Sequence, residues 1–340
     1  MTPNLFKDFE LYIPTYLRSH RQNTVQELNI RHASNKPHMF NLILVVREEE
    51  ADLYDHWSQY ADILPISDVS NLAETRRWII ENATSRLVGV LDDDCRFYRR
   101  KDQESTKLAI SHIGDHLKMF QWIKESLQEQ DIAQAGVSAR EGNNHIQDDY
   151  RENTRCMRCS FFDRDKLEKH DINYRVFPDP MDDFDITLQI INKGLKNRVS
   201  YEFAQNQGSS NETGGCESYR TVGYQARTAR RLSALWPGYV SAVEKETKTA
   251  WGGGRRLDVR IQWKQLERFQ DEEMGNWSDK EILEHFKEEE YKELWEIDED
   301  EFRDEETEPD GIREESSGDN GGLGANEEEQ ASGDSIGDIN

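Results

Sequence analysis

The chain of 340 residues contains no apolar run of the roughly 18 residues from which a membrane-spanning helix is read. Its opening, MTPNLFKDFELYIP, has neither the basic start nor the apolar stretch of a secretory signal. Four cysteines are too few for a disulfide scaffold. Together these absences predict a soluble protein of a reducing compartment, the cytoplasm, with no membrane partner. Apolar residues are scarce as well, 35% against 33% charged, but the deficit is local. Residues 271–340 hold 28 acids against 5 bases, which leaves 40 against 38 in residues 1–270. The net charge of −25 therefore belongs to the C-terminal stretch and says little about the surface of the rest.

The first hundred residues carry continuous apolar runs. FELYIP ends a strand at Pro14, and Phe40–Val46 (FNLILVV), Asp62–Ser67 (DILPIS) and Leu87–Leu91 (LVGVL) read as three more. Between them lie TVQELNIRHA, the helix-like REEEADLYDHWSQY and NLAETRRWIIENA, whose Leu72, Thr75, Trp78, Ile79 and Ala83 follow helical spacing behind Asn71 as N-cap. Strands without polar alternation, separated by helices, predict a mostly parallel sheet flanked by helices, an α/β fold. Further on, LKMFQWIKESLQ reads as an amphipathic helix, IAQAGVSAR as a strand and RCMRCSFFDRDKLEKH as a strand running into a helix. A helix ends near Gly194, and Ser278 with Glu281 makes a capping box that opens a last, acidic helix. The expected organisation is a domain over 1–270, split into a nucleotide-binding half (1–100) and an acceptor half (101–270), then an acidic helix (271–298) and a disordered tail (299–340).

LVGVL runs directly into Asp92, Asp93 and Asp94. In open α/β sheets ligands bind beyond the carboxyl ends of strands. Three like charges there need something to neutralise them unless the turn is simply solvated. In an extended run Asp92 and Asp94 share a face, and hard carboxylates suit Mg²⁺ or Mn²⁺ bridging to phosphates. A second acidic cluster, Asp179, Asp182, Asp183 and Asp185, precedes a helix. One or two acids would suffice to complement a helix dipole; four leave room for a general base. The Cys156-x-x-Cys159 pair has no second pair at metal-ligand spacing and reads as structural, with Cys95 and Cys216 packing near the site.

The order of these parts, IPTY after the first strand, ETRRW in a helix, an Asp-x-Asp after a strand and a later DDFD, resembles glycosyltransferases of the GT-A fold. More narrowly, AGVSAR, ENTRCMR, FFDRDKL, DDFDITLQIINKG, SSNETGGCESYRT and RLDVRIQWK resemble the TET-associated glycosyltransferases of bacteriophages, over most of residues 8–270. The resemblance implies a nucleotide-sugar donor such as UDP-glucose, held by Pro14, Thr15, Tyr16, Arg18, Arg76, Asp92 and Asp93. It implies a divalent ion (Mn²⁺ or Mg²⁺) on Asp94 and Asp92, and Asp183 as catalytic base beside Asp182. The implied reaction moves a hexose onto the hydroxyl of a 5-hydroxymethylpyrimidine in DNA. The pattern departs from many metal-dependent members of the fold in lacking a late histidine ligand: of nine histidines only His285 follows His170. Asn206, Gln207 or Asn211 would approach the ion instead, or Asp94 and the diphosphate would hold it alone.

Residues 217–270 hold 11 bases against 5 acids, with tyrosines and tryptophans interleaved. Arg220, Arg230, Arg231, Arg255, Arg256 and Trp263 are the expected DNA-binding set, suited to phosphates and to stacking on an unpaired base. The same composition also fits a basic helix face with core tryptophans. The acidic tail either competes for this basic face or only solubilises the chain. Alternatives to a DNA acceptor are a polysaccharide or protein acceptor, a metal-dependent phosphodiesterase, and a non-catalytic DNA-binding accessory.

Overall fold

The computed structural model describes residues 6, 9–28, 40–101, 106–176, 179–206, 215, 220–246, 254–268 and 280–281. All belong to the first of two units, Met1–Asp304; the second, Glu305–Asn340, lies outside the described residues. So do the expected tail and, except for Lys280 and Glu281, the expected acidic helix.

The four apolar runs form the parallel part of the sheet. They are β1 (Phe9–Pro14), β2 (Asn41–Arg47), β3 (Asp62–Ile66) and β4 (Leu87–Leu91). Their order is β3-β2-β1-β4, every pair parallel. Helix α1 (Asn23–Leu28), a 3-10 helix (Glu48–Trp57) and α2 (Leu72–Asn82) make the crossovers, so all four strands end at one edge. Asn71 caps α2 as its sequence predicts, its side chain accepting from the Glu74 amide at 2.9 Å.

After β4 come β5 (Arg96–Arg100), β6 (Leu108–Ile110), α3 (Ile113–Gln128), β7 (Ile132–Ala139), β8 (Tyr150–Glu152), β9 (Cys159–Asp163), α4 (Arg164–Lys169), α5 (Asp182–Asn192) and β10 (Lys196–Asn206). The sheet continues from β4 as β9-β7-β10-β5-β6 and has ten strands among the described residues, with β8 paired to β10. Strand β9 runs against both β4 and β7, whereas β7 and β10 are parallel. Because β9 opposes β4, with Leu91 beside Cys159, the residues entering β9 sit next to the residues leaving β4. That antiparallel insertion places Arg155 and Arg158 at the aspartates. The short strands β5, β6 and β8 had no apolar run to announce them.

Alternation along each strand divides the core between the sheet's faces. Leu87 and Leu91 pack in one buried cluster with Phe9, Leu11, Phe120 and Phe161. Val88 and Val90 pack in another with Tyr12, Val45, Ile79 and Ile186. Gly136 on β7 marks a close approach: a Cβ there would run into Cys156 Sγ and the Cys159 carbonyl. The Cys156–Cys159 segment is thus pressed against the sheet, and burial pushes the Cys156 thiol up to about 12. Both cysteines are buried and free.

Helix α6 (Val222–Leu235), the hairpin β11 (Val240–Glu246) and β12 (Arg255–Ile261), and α7 (Trp263–Arg268) complete the described fold. They share a third core with α5, built from Met181, Phe184, Leu188, Ile191, Leu232, Trp236 and Leu266 among others. Among the described residues no helix is long and apolar enough to cross a membrane.

Candidate active site

A cavity of about 330 Å³ opens where the parallel strands end. Pro14, Thr15, Tyr16 and Arg18 reach it from the end of β1, Arg76 from α2, Asp92, Asp93 and Asp94 from the end of β4, and Asp183 from the first turn of α5. The two acidic clusters, about ninety positions apart, therefore meet in one place. The aspartates do not continue β4 as an extended run; they form a turn, and all three line the cavity.

That turn is fixed by α1 and by two arginines. Thr24 donates its hydroxyl to the Asp92 carbonyl at 2.5 Å and its amide to the Asp93 carbonyl at 3.0 Å. Asp93 accepts from Thr15 Oγ1 at 2.7 Å and from Arg18 Nη1 at 2.8 Å. Arg18 also reaches Asp94 at 3.3 Å. Arg76 spans the clusters, with Nη2 on Asp92 at 2.7 Å and Nη1 on Asp182 at 2.8 Å.

Asp94 keeps one oxygen unspent. Its Oδ1 is buried and has no hydrogen-bond partner. Burial, then the charges of Asp92 and Asp93, raise its carboxyl to about 7, against the pull of Arg18 and Arg158. Such an oxygen, on a residue that lines the cavity among other carboxylates, fits a divalent ion completed by phosphates and water. Among the described residues no group of three or more His, Cys, Asp or Glu could hold a metal by itself. Asn206 ends β10 and does not line the cavity; Gln207 and Asn211 lie outside the described residues.

The four acids near α5 separate by role. Asp179 accepts from Tyr224 Oη at 3.0 Å and the Ala73 amide at 3.3 Å, and burial raises it to about 7. Asp182, 1% exposed, is buried behind the cavity on Arg76. Asp185 is buried against Arg175 and accepts from Trp236 Nε1 at 2.9 Å. Only Asp183 of the four lines the cavity, where it accepts from Arg155 Nε at 2.9 Å. The Arg155 guanidinium lies 3.9 Å from the centre of the Phe184 ring.

The residues expected to bind DNA divide. Arg220 and Arg256 line the cavity. Arg230 and Arg231 lie along α6, away from it, and burial with the neighbouring Arg227 charge lowers Arg231 to about 10. Arg255 is exposed on β12 and pairs with Glu244 at 3.2 Å. Trp263 packs against the third core, its ring 6.4 Å from Phe184 and tilted 23°, so its indole serves packing here. Arg47, Arg155, Arg158, Gln225 and Asp258 also line the cavity and were not singled out from sequence. Arg47 sits 3.9 Å over the Tyr16 ring. The two arginines in ENTRCMR, spaced as neighbours of a turn, were the signal that went unused.

Residues 9–215, more than half of the chain, match the model of the family described as TET-Associated Glycosyltransferase. Among solved structures, the mannosyltransferase PcManGT from Pyrobaculum calidifontis, in complex with GDP-Man and Mn²⁺, is similar at 11% identity and a TM-score of 0.45, over 68% of this chain and 65% of that one. TarS 1–349 of S. aureus, in complex with UDP-GlcNAc, is similar at 13% identity and a TM-score of 0.45, over 67% and 65%. GalNAc-T7 with UDP, GalNAc and Mn²⁺ follows at 9% identity and a TM-score of 0.42, over 67% and 48%. The chain thus spans less than two thirds of the length of each. No curated protein matches it.

Proposed function

The chain belongs to the TET-associated glycosyltransferase family, and from that premise we propose that its cavity takes a nucleotide-diphosphate sugar and passes the hexose to a hydroxyl of a 5-hydroxymethylpyrimidine in DNA. The observation that carries the reading is the meeting of Asp94 and Asp183 in one cavity, where Arg76 bridges their neighbours Asp92 and Asp182. Glycosyl transfer needs an anionic leaving group held in place and a base for the incoming hydroxyl.

In this reading the acceptor oxygen forms a bond to the sugar's anomeric carbon while the bond from that carbon to the diphosphate breaks. The bonding pair leaves with the diphosphate, and the hydroxyl proton passes to Asp183. Arg155 holds the Asp183 carboxylate from the side at 2.9 Å, which fixes its direction before the acceptor arrives. At the other end Arg18 orients Asp93 and Asp94. A divalent ion, where bound, would lie on Asp94, with Asp92 near it, and would supply positive charge to the departing diphosphate. Pro14, Thr15 and Tyr16, with Arg47 over the tyrosine ring, form the wall suited to the nucleoside.

The acceptor follows from the family's association with TET-type chemistry and from Arg220 and Arg256 at the cavity, which suit phosphates of a polynucleotide. Arg230, Arg231 and Arg255 would serve as longer-range attraction.

The test is transfer. Full-length protein would be incubated with Mn²⁺ or Mg²⁺, a panel of nucleotide sugars, and duplex DNA bearing 5-hydroxymethylcytosine or 5-hydroxymethyluracil, beside an Asp94→Asn control. Digested nucleosides should gain one hexose mass, absent in the control. Donor hydrolysis that needs Asp94 but leaves DNA unchanged would move the acceptor to a polysaccharide or protein. DNA cleavage without any donor would replace the reading with a phosphodiesterase, and neither reaction would leave an accessory DNA binder.

A further inference from the structure

Four arginines stand at the two aspartate clusters of the cavity, and three are engaged by them. Arg18 is taken by Asp93 and Asp94, Arg76 by Asp92 and Asp182, and Arg155 by Asp183. Arg158 differs. Its Nη1 is buried and makes no hydrogen bond; the nearest carboxylate, the exposed Glu141, stands 3.9 Å away. A buried donor atom that makes no hydrogen bond is costly unless a ligand uses it.

The backbone is shaped to put it there. Arg158 has φ of +63°, in the left-handed region that costs an L-residue about 1–2 kcal/mol. This conformation lets the Arg158 carbonyl accept from the Asp92 amide at 2.7 Å, stitching the entry of β9 to the exit of β4. The side chain is thereby delivered to the cavity wall beside Asp94. A strained residue that holds an unspent donor at a cavity points to a ligand.

We propose that Arg158 is a leaving-group residue: its guanidinium binds an oxygen of the distal phosphate of the nucleotide-diphosphate sugar and neutralises the charge that accumulates there as the bond to the anomeric carbon breaks. This rests on the reading of the cavity as a nucleotide-sugar site. The pair of electrons from the broken bond stays on the phosphate oxygen, the acceptor oxygen replaces it on carbon, and the acceptor's proton goes to Asp183. No further reactant is needed. The assignment also answers the missing late histidine, since part of the positive charge comes from the chain itself.

Arg158→Gly is the informative variant. Glycine adopts positive φ without strain, so the turn keeps its shape while the guanidinium is lost. Binding of UDP, UMP, GDP and GMP to full-length protein would be measured by titration calorimetry, with transfer rates alongside. The variant should bind the nucleoside diphosphate that the wild type prefers about 10- to 100-fold more weakly, the range of one charge-assisted hydrogen bond. Its affinity for the matching monophosphate should change less than about twofold, within the range of a remote substitution. Arg158→Lys, which keeps the charge, should recover part of the loss and part of the rate. Diphosphate and monophosphate affinities both at wild-type level would overturn the assignment while leaving the cavity's reading intact. So would an unchanged diphosphate affinity with weakened binding of duplex DNA, which would move Arg158 to the acceptor. A wild type that binds none of the four nucleotides would sink the nucleotide-sugar reading, and Arg158's role with it.

Discussion

Arg76→Met tests the bridge between the two acidic clusters. Methionine keeps much of the apolar stem and removes the guanidinium that bonds Asp92 at 2.7 Å and Asp182 at 2.8 Å. Asp92 is partly open to water, but Asp182 is buried, so it loses its countercharge where solvent cannot replace it. Removing one partner of a buried pair destabilises by about 3–5 kcal/mol. At roughly 2–4 °C per kcal/mol for a domain of this size, the melting temperature should fall by about 6–20 °C. The deficit should depend on pH with a definite sign. Burial already raises the Asp182 carboxyl, and Arg76 is the main influence holding it down. Without Arg76 the folded state prefers the protonated acid even more. Stability is then fully present below the unfolded carboxylate range and is lost as pH rises, so the gap to wild type should be wide at pH 8 and narrow at pH 5. Thermal unfolding of Arg76→Met, Asp182→Asn and the double variant at both pH values measures this. The double variant should recover most of the loss. A single variant within about 1 kcal/mol of wild type, or a double variant no better than the single, would refute the reasoning.

Two further outcomes follow from the same site. Asp94→Asn should raise stability at pH 8 by about 2–4 kcal/mol, since a carboxyl held near 7 resists the ionisation that its unfolded form undergoes near 4; the gain should vanish near pH 4 while transfer is abolished, as checked by unfolding at both pH values and the nucleoside mass assay. Gly136→Ala should destabilise by about 1–3 kcal/mol as an overpacking change. It should also reduce transfer, because the displaced Cys156–Cys159 segment carries Arg158 and adjoins Arg155; unchanged turnover in a folded variant would uncouple that segment from the site.

The parallel half of the fold was legible because β1, β2 and β4 are buried on both faces and read as unbroken apolar runs, LVGVL above all. The short strands β5, β6 and β8 were not, since RFYRR and YRE bury too little to be told from loops. Asp92–Asp94 and Asp183 stood out as charge where charge is expensive. Their partners did not. Arg18 and Asp93 are 75 positions apart, Arg155 and Asp183 28, and only the antiparallel entry of β9 beside β4 brings the second arginine pair to the acids. Trp263 shows the opposite failure: an aromatic among arginines suggested stacking on a base, whereas its neighbours across the fold are Phe184 and the third core.

The stretch recognisable as family ends at residue 215, yet the apolar flank of α5 is covered by residues beyond it, Leu232, Trp236, Val259 and Leu266 among them. A gene trimmed to the recognisable stretch would therefore yield a chain with Met181, Phe184, Leu188 and Ile191 laid bare. Such a patch invites aggregation. It would also loosen the first turn that carries Asp183. For anyone expressing shortened versions or recombining relatives, the cut belongs no earlier than Arg268, the last residue of α7.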